Sequence, residues 1–528
     1  MHRMFRRWIT LCCLVLTLLS AAAAQLTRPE RTNDEETSRY EDVIAFLDSL
    51  PPNPSVLKFG WLGYSPAGRR LPMAVYGDVP DIRPETVRRS GKLVVYVQGN
   101  IHAGEVEGKE AMLELLRELA RGGHAEWRRR LIVIIVPIFN ADGNENISLF
   151  NRPYQYGPVA GMGQRANGQG LDLNRDHTKL ESPEVRAFVS LLDRYDPHIV
   201  VDLHTTNGSF HGYHITYSHA LHPALDGPLD AFQRTSFFPA VHKRMTARKW
   251  RVHRYGDYLE RTPAGKPGYF YWAHEPRYNS NYVGLRNRIA VLSEAYSYVT
   301  FRTRIDATKA LVEAVLDEAN ANSRAIRAAV AAADERAVQL PTTDSLAVRG
   351  EIVESSPAES LLLAPVREVR NPYSGQTMYL MKEESLRTVV TAEFYGTRAL
   401  RSAAVPEGYL IPDSLRAVAD LLRDHGIRID TVQQRRTVTA GRFLITADRL
   451  SEREFQKHRM RTVEGRYETV TLDVPAGTLF VPLDQPLSRL AMQLLEPESE
   501  DGVVAWNVMD RYRGNGSVYS IVTIIPKR

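Results

Sequence analysis

Two imidazoles and two carboxylates stand out among the side chains of this protein that could do chemistry: His102, Glu105, His204 and Glu294. Two histidines and a carboxylate are the ligand set of a catalytic zinc that keeps a fourth position open. A further carboxylate beside that position can take a proton from water. On this reading His102, Glu105 and His204 hold one Zn2+ and Glu294 is the general base. His-x-x-Glu spacing alone is weak evidence, since it recurs by chance. Each residue also has an ordinary reading: His102 bonded to loop backbone, Glu105 as an acid favoured at a helix N-terminus, His204 as a satisfied strand-end histidine. His211, His214, His219 and His222 follow in a loop and rank below His204, with at most one expected to reach the metal. Glu107 and Glu110 read as solvated residues of the following helix.

What lifts the four above coincidence is the set of elements that must position them. Apolar, β-branched runs at Leu93–Val97, Leu131–Val136, His198–Leu203 and Ile289–Leu292 read as buried strands. Met112, Leu115, Leu116 and Leu119 fall at helical spacing directly after the first. Strands alternating with helices predict an α/β fold with a mixed, largely parallel central sheet flanked by helices. In such sheets ligands gather beyond the carboxyl ends of the strands. His102 and Glu105 lie in the Gly-containing turn after the first strand, His204 follows the third, and Glu294 follows the last.

The rest of the chain sets the context. Arg3, Arg6 and Arg7 precede an apolar run from Trp8 to Leu19 that ends in Ser20 and four alanines, which reads as a secretory signal peptide over residues 1–24, cut near Ala24. The run is too short for a spanning helix, which needs about 20 apolar residues. Both cysteines, Cys12 and Cys13, fall in this leader, so cysteine is neither nucleophile nor ligand in the processed chain. The leader also carries three of the five net positive charges, and the two that remain give no argument for nucleic acid or membrane partners. A catalytic domain is expected over residues 38–337, beginning near a helix at Tyr40–Leu50 and closing on an Ala-rich helical stretch at 304–337. Leu340 to Ser345 reads as a linker, and residues 346–528 as a second, α+β region without a recognisable site motif.

The segment Gly99-Asn100-Ile101-His102-Ala103-Gly104-Glu105 resembles the zinc-binding turn of the zinc carboxypeptidases, or funnelins. Leu171-Asp172-Leu173-Asn174-Arg175-Asp176, Asp202-Leu203-His204-Thr205-Thr206 and Val291-Leu292-Ser293-Glu294-Ala295-Tyr296 continue the likeness in order. The resemblance implies that Asn174 and Arg175 hold a substrate's terminal carboxylate, a role suited to the planar guanidinium fork. It also implies that Arg165 stabilises the developing oxyanion, with Arg152 as the competing candidate. Two departures stand out. Asp176 replaces the second asparagine of the digestive members and brings a negative charge toward the pocket. The family's mobile tyrosine has four candidates: Tyr269, Tyr271, Tyr278 and Tyr282.

The function that follows is zinc-dependent hydrolysis of the peptide bond beside a free C-terminal carboxylate, by a secreted or periplasmic protein. A zinc amidase or deacylase acting on cell-wall peptides or N-acyl amino acids uses a similar frame. A non-catalytic peptide-binding protein is disfavoured by the presence of all three ligands together with Glu294.

Overall fold

A computed structural model of the chain describes residues 25–206, 208–510 and 518–525. The leader and both cysteines lie outside them. Eight strands form the central sheet: β1 (Leu57–Tyr64), β2 (Arg70–Tyr76), β3 (Leu93–Gly99), β4 (Leu131–Val136), β5 (Ile199–Thr205), β6 (Ile215–Ser218), β7 (Val252–Arg254) and, after the short β8 (Asp257–Leu259) and β9 (Gly268–Phe270), β10 (Ile289–Ala295). Their order is β1-β2-β4-β3-β5-β10-β6-β7. The inner pairs β4/β3, β3/β5 and β5/β10 are parallel, as is β6/β7, while β1/β2, β2/β4 and β10/β6 are antiparallel.

Successive side chains of a strand point to opposite faces, and the core divides accordingly. Leu93, Val95, Val97, Val133, Val201 and Val291 pack with the helices Glu107–Ala120 and Phe301–Ala321 on one face. Val94, Tyr96, Ile134, Val200 and Ala290 pack with Pro183–Tyr195 and Asn279–Leu285 on the other. Asp202 and His204 share parity with Val200, and Glu294 with Ala290, so the strand ends present these groups on the same side. The expected helices at 40–50 and 304–337 are Tyr40–Ser49 and the pair Phe301–Ala321 and Ser323–Val338.

The helix Glu107–Ala120 corrects one expectation. Glu107 and Glu110 are fully buried, not solvated. Glu110 accepts from Thr37 Oγ1 (2.8 Å), Ser38 N (2.7 Å) and Ser38 Oγ (2.7 Å), and Glu107 from Thr205 Oγ1 beside the Arg304 guanidinium. The polar side of this helix meets the N-terminal segment and Arg304 where an isolated helix would meet water. Its start approaches the sheet so closely that a Cβ on Gly99 would lie 2.8 Å from the Gly108 carbonyl carbon.

The chain crosses from Val338 at a helix end to the strand Ser345–Val353, and the residues beyond do not keep to themselves. Strand Arg387–Phe394 pairs in parallel with β9 through Ala392 and Gly268, in a sheet of order Ser356–Leu363, Arg387–Phe394, β9, β8. Leu415, Leu422, Phe443, Leu490 and Leu494 belong to the same buried cluster as Val94 and Phe188. A long antiparallel hairpin, Arg436–Leu450 and Arg461–Val474, runs out from a six-stranded sheet. Among the described residues no helix is long and apolar enough to cross a membrane.

Candidate metal centre

The turn after β3 is shaped by Asn100, which takes a positive φ of 68°, a region where asparagine is tolerated better than most residues. Its amide donates to the carbonyls of Ala103 (3.3 Å) and Glu105 (3.4 Å), folding residues 101–105 back over the strand end. His102 and Glu105 there meet His204 from β5. His102 Nδ1 lies 3.1 Å from Glu105 Oε1, and His204 Nδ1 lies 3.0 Å from Glu105 Oε2 and 3.2 Å from His102 Nδ1. All three groups are buried, and one potential ligand atom of each falls within 4.8 Å of the others.

The outer ring nitrogens fix how these imidazoles face. His102 Nε2 meets Asp172 Oδ1 at 3.0 Å, and His204 Nε2 meets Asp202 Oδ2 at 2.9 Å. A carboxylate on Nε2 keeps the proton there and turns the Nδ1 lone pair inward. Two lone pairs 3.2 Å apart beside a buried carboxylate repel unless a cation sits among them. The donor set therefore fits zinc, with two nitrogens and one carboxylate. Asp202 lies two residues before His204 on the same strand face, a periodicity readable in the sequence. Asp172 caps the short turn Leu173–Arg175, accepting from Asn174 N at 3.0 Å. A second group, Glu118, His124 and Glu313, also clusters, but the Lys309 ammonium already lies 2.6 Å from Glu118.

Glu294 is paired in register with His204 across β10 and β5 and is 7% exposed. Burial pushes its carboxyl up to about 8; the charge of Glu105 adds to the rise, and His204, Arg152 and Arg165 oppose it. Tyr255 and Tyr271 sit close enough for the Glu294 charge to add to the upward pull of burial on their hydroxyls.

Two arginines approach Glu105. Arg152 Nη1 meets Glu105 Oε1 at 2.9 Å, and its other nitrogens donate to Gln155 Oε1 and to the carbonyls of Thr205 and Thr206. Arg165 Nε donates to Asp172 Oδ2 at 2.8 Å, and its Nη1 lies 3.6 Å from Glu105. The Arg165 side chain stays 45% exposed, against 17% for Arg152, so Arg165 is the one with an open edge.

Arg175 Nη1 donates to Asn174 O at 2.8 Å and lies 3.9 Å from Asp172 Oδ2, and its guanidinium lies over the Tyr278 ring at 4.1 Å. Asn174 is buried, its oxygen accepting from Asn279 N (2.8 Å) and its amide facing the His204 ring (3.5 Å). Of the four tyrosines, Tyr278 alone stands against Arg175; Tyr269 donates to Arg254 O, Tyr282 meets His425, and Tyr271 packs on Tyr395. Asp176 brings no charge to the cleft. It is fully buried, accepting from Lys179 Nζ, Ser182 N and Ser182 Oγ, and so anchors the start of the helix Pro183–Tyr195. His211, His214, His219 and His222 stay outside the metal group: His211 packs on Tyr296, His214 accepts from Arg251 N, His219 packs on Tyr395 and His222 accepts from Ala224 N.

Residues 43–249 match the family model described as zinc carboxypeptidase. The chain is 23% identical over 437 residues to Carboxypeptidase 2 of Trichophyton equinum, covering 80% of this chain and 74% of that protein. With Carboxypeptidase 2 of Trichophyton rubrum it shares 23% over 501 residues, 90% of this chain and 86% of the relative. Among solved structures, carboxypeptidase A from Helicoverpa armigera aligns at 18% identity with a TM-score of 0.42, covering 58% of this chain and 79% of that one. A metallo-carboxypeptidase from Burkholderia cenocepacia aligns at 18% with a TM-score of 0.40, covering 53% and 69%.

Proposed function

We infer that this chain, which belongs through residues 43–249 to the zinc carboxypeptidase family, is a metallocarboxypeptidase that cleaves the peptide bond beside a free C-terminal carboxylate. One observation carries the reading of its site. The Asp172 carboxylate lies between His102 and the two arginines Arg165 and Arg175, so one group ties the metal centre to a cationic corner.

Zinc held by His102, Glu105 and His204 supplies Lewis-acid polarisation of the scissile carbonyl and lowers the pKa of water. Asp172 and Asp202 hold the two rings in the ligating tautomer. Arg175, steadied over Tyr278, grips the terminal carboxylate, and Asn174 braces the loop that carries it. The open edge of Arg165 faces the charge that develops on the carbonyl oxygen. Glu294 accepts the proton of the attacking water and returns it to the departing amine. We also propose that residues 1–24 direct the protein to the periplasm or the exterior, which N-terminal sequencing of the exported product tests.

The function is tested by giving zinc-loaded protein matched peptides with free and amidated C-termini and following products by mass. Loss of single residues from the free-ended peptide alone is the expected result. Equal cleavage of both peptides, or release of acyl groups, selects the amidase or deacylase reading instead.

A further inference from the structure

The cationic corner is not built by the residues near it in sequence alone. At the tip of the long C-terminal hairpin, Phe455 and His458 exchange backbone hydrogen bonds of 2.8 and 3.0 Å across Gln456 and Lys457. Both central residues take positive φ, 50° and 65°. Such two-residue turns favour Asn-Gly, and long side chains rarely occupy them. Here the long side chains supply reach. Gln456 Oε1 accepts from the backbone N–H of Asp172 (2.9 Å), Lys457 Nζ donates to Gln169 O (2.6 Å), and His458 Nε2 meets Glu181 (2.7 Å). The other side of the corner is braced as well. Arg277, next to Tyr278, pairs with buried Asp501 at 2.9 Å, and its guanidinium lies 5.4 and 5.2 Å from the Phe455 and Trp506 rings.

The turn geometry itself asks for positive φ at both positions, but a tip that only packed against the surface would need no bond to this amide. Asp172 is the residue whose two oxygens meet His102 and Arg165, with Arg175 beside them. Fixing its N–H from outside fixes where that carboxylate stands, as groups beyond the ligands commonly do in metal sites. We propose that Gln456 is a positioning residue for the reaction, and that through it the C-terminal region completes the substrate corner of the metal site. The proposal uses the carboxypeptidase reading only to choose the substrate.

The test compares Lys457→Gly with the double variant Gln456→Asn/Lys457→Gly, both in the zinc-loaded, full-length protein. Each keeps a turn-compatible pair, so the hairpin is retained, but asparagine is too short to reach the Asp172 amide. On a free-ended peptide the single variant should stay within about twofold of wild type. Loss of one neutral hydrogen bond predicts a further fall in kcat/KM of roughly threefold to tenfold in the double variant. Most of it should appear in KM, with zinc content and Tm unchanged and amide exchange faster over residues 169–176. Equal kcat/KM and equal exchange in the two variants would overturn the proposal. So would loss of zinc or Tm in step with activity, which would make the turn a general brace. If wild type releases nothing from free-ended peptides, the carboxypeptidase reading fails, while the exchange comparison still decides Gln456.

Discussion

The metal centre and the carboxylate corner share Asp172 yet are built in different ways. The first comes from β5 and β10, parallel neighbours whose register brings His204 opposite Glu294, and from the short turn after β3 that carries His102 and Glu105. Its ligands and both supporting carboxylates are almost entirely buried. The second comes from loops, a single turn at Leu173–Arg175 and the entry to the helix Asn279–Leu285, held in place by side chains nearly 300 residues away. His204 and Glu294 are placed by the backbone ladder and His102 and Glu105 by a turn tied to a strand end, whereas the groups of the corner are placed only by what packs on them. The first kind should fail abruptly on mutation and the second by degrees.

The largest effects belong to the metal centre. His102→Ala, Glu105→Ala or His204→Ala should abolish bound zinc, read by elemental analysis, and with it nearly all turnover. Retention of zinc in His204→Ala would transfer that role to another histidine. Asp202→Asn, which leaves the ligands in place, should weaken zinc affinity by roughly 10- to 100-fold. Glu294→Gln sharpens the division, because it should retain zinc while kcat falls ~10²–10⁴-fold. Loss of zinc in step with activity would make Glu294 a ligand.

On the corner the changes should be graded. Arg175→Ala removes a charged partner worth about 2–5 kcal/mol, so kcat/KM on free-ended peptides should drop roughly 30-fold or more, with little change on amidated ones. A coupling near zero between enzyme and substrate changes would remove Arg175 from carboxylate recognition. Arg175→Lys should recover part of the loss, since the charge survives without the fork.

The smallest effect is on stability. The hydrogen bond that His458 donates to Glu181 raises the pKa of His458, and burial pulls Glu181 upward while His458 lowers it, with the net shift downward. The pair therefore stabilises the fold above the ordinary glutamate value of 4.5 and below the ordinary histidine value of 6.5. It is lost as pH rises through the raised histidine value. His458→Ala should cost about 1 kcal/mol or less, because the pair is partly solvated. Denaturant titrations should find that cost between the ordinary values of 4.5 and 6.5 and see it vanish as pH rises past the raised histidine value.

The same division governs what the sequence discloses. The convergence of His102, Glu105, His204 and Glu294 is legible because strand periodicity and strand ends are local signals. Asp202 was within reach by the same alternation. The burial of Glu107 and Glu110 was not, since a helix covered on its polar side looks in sequence like one facing water. Asp176 misleads for a related reason: its place beside Arg175 suggests the cleft, but Lys179 and Ser182 turn it inward. Gln456 carries no local signal at all, because its partner is 284 residues distant.

The pairing of β9 with Arg387–Phe394 bears on how the protein is made. Residues emerge from the ribosome at about 5–20 per second, so the β9 edge waits on the order of ten seconds for its outer partner. During that interval the ligand-bearing strands are already synthesised, but Gly268–Phe270 shows an open edge, and open edges invite pairing with other chains. A nascent chain stalled after Val338 is thus the form most exposed to aggregation or proteolysis. Expression of the isolated residues 25–338 should yield insoluble or rapidly degraded material even though His102, Glu105 and His204 are all present.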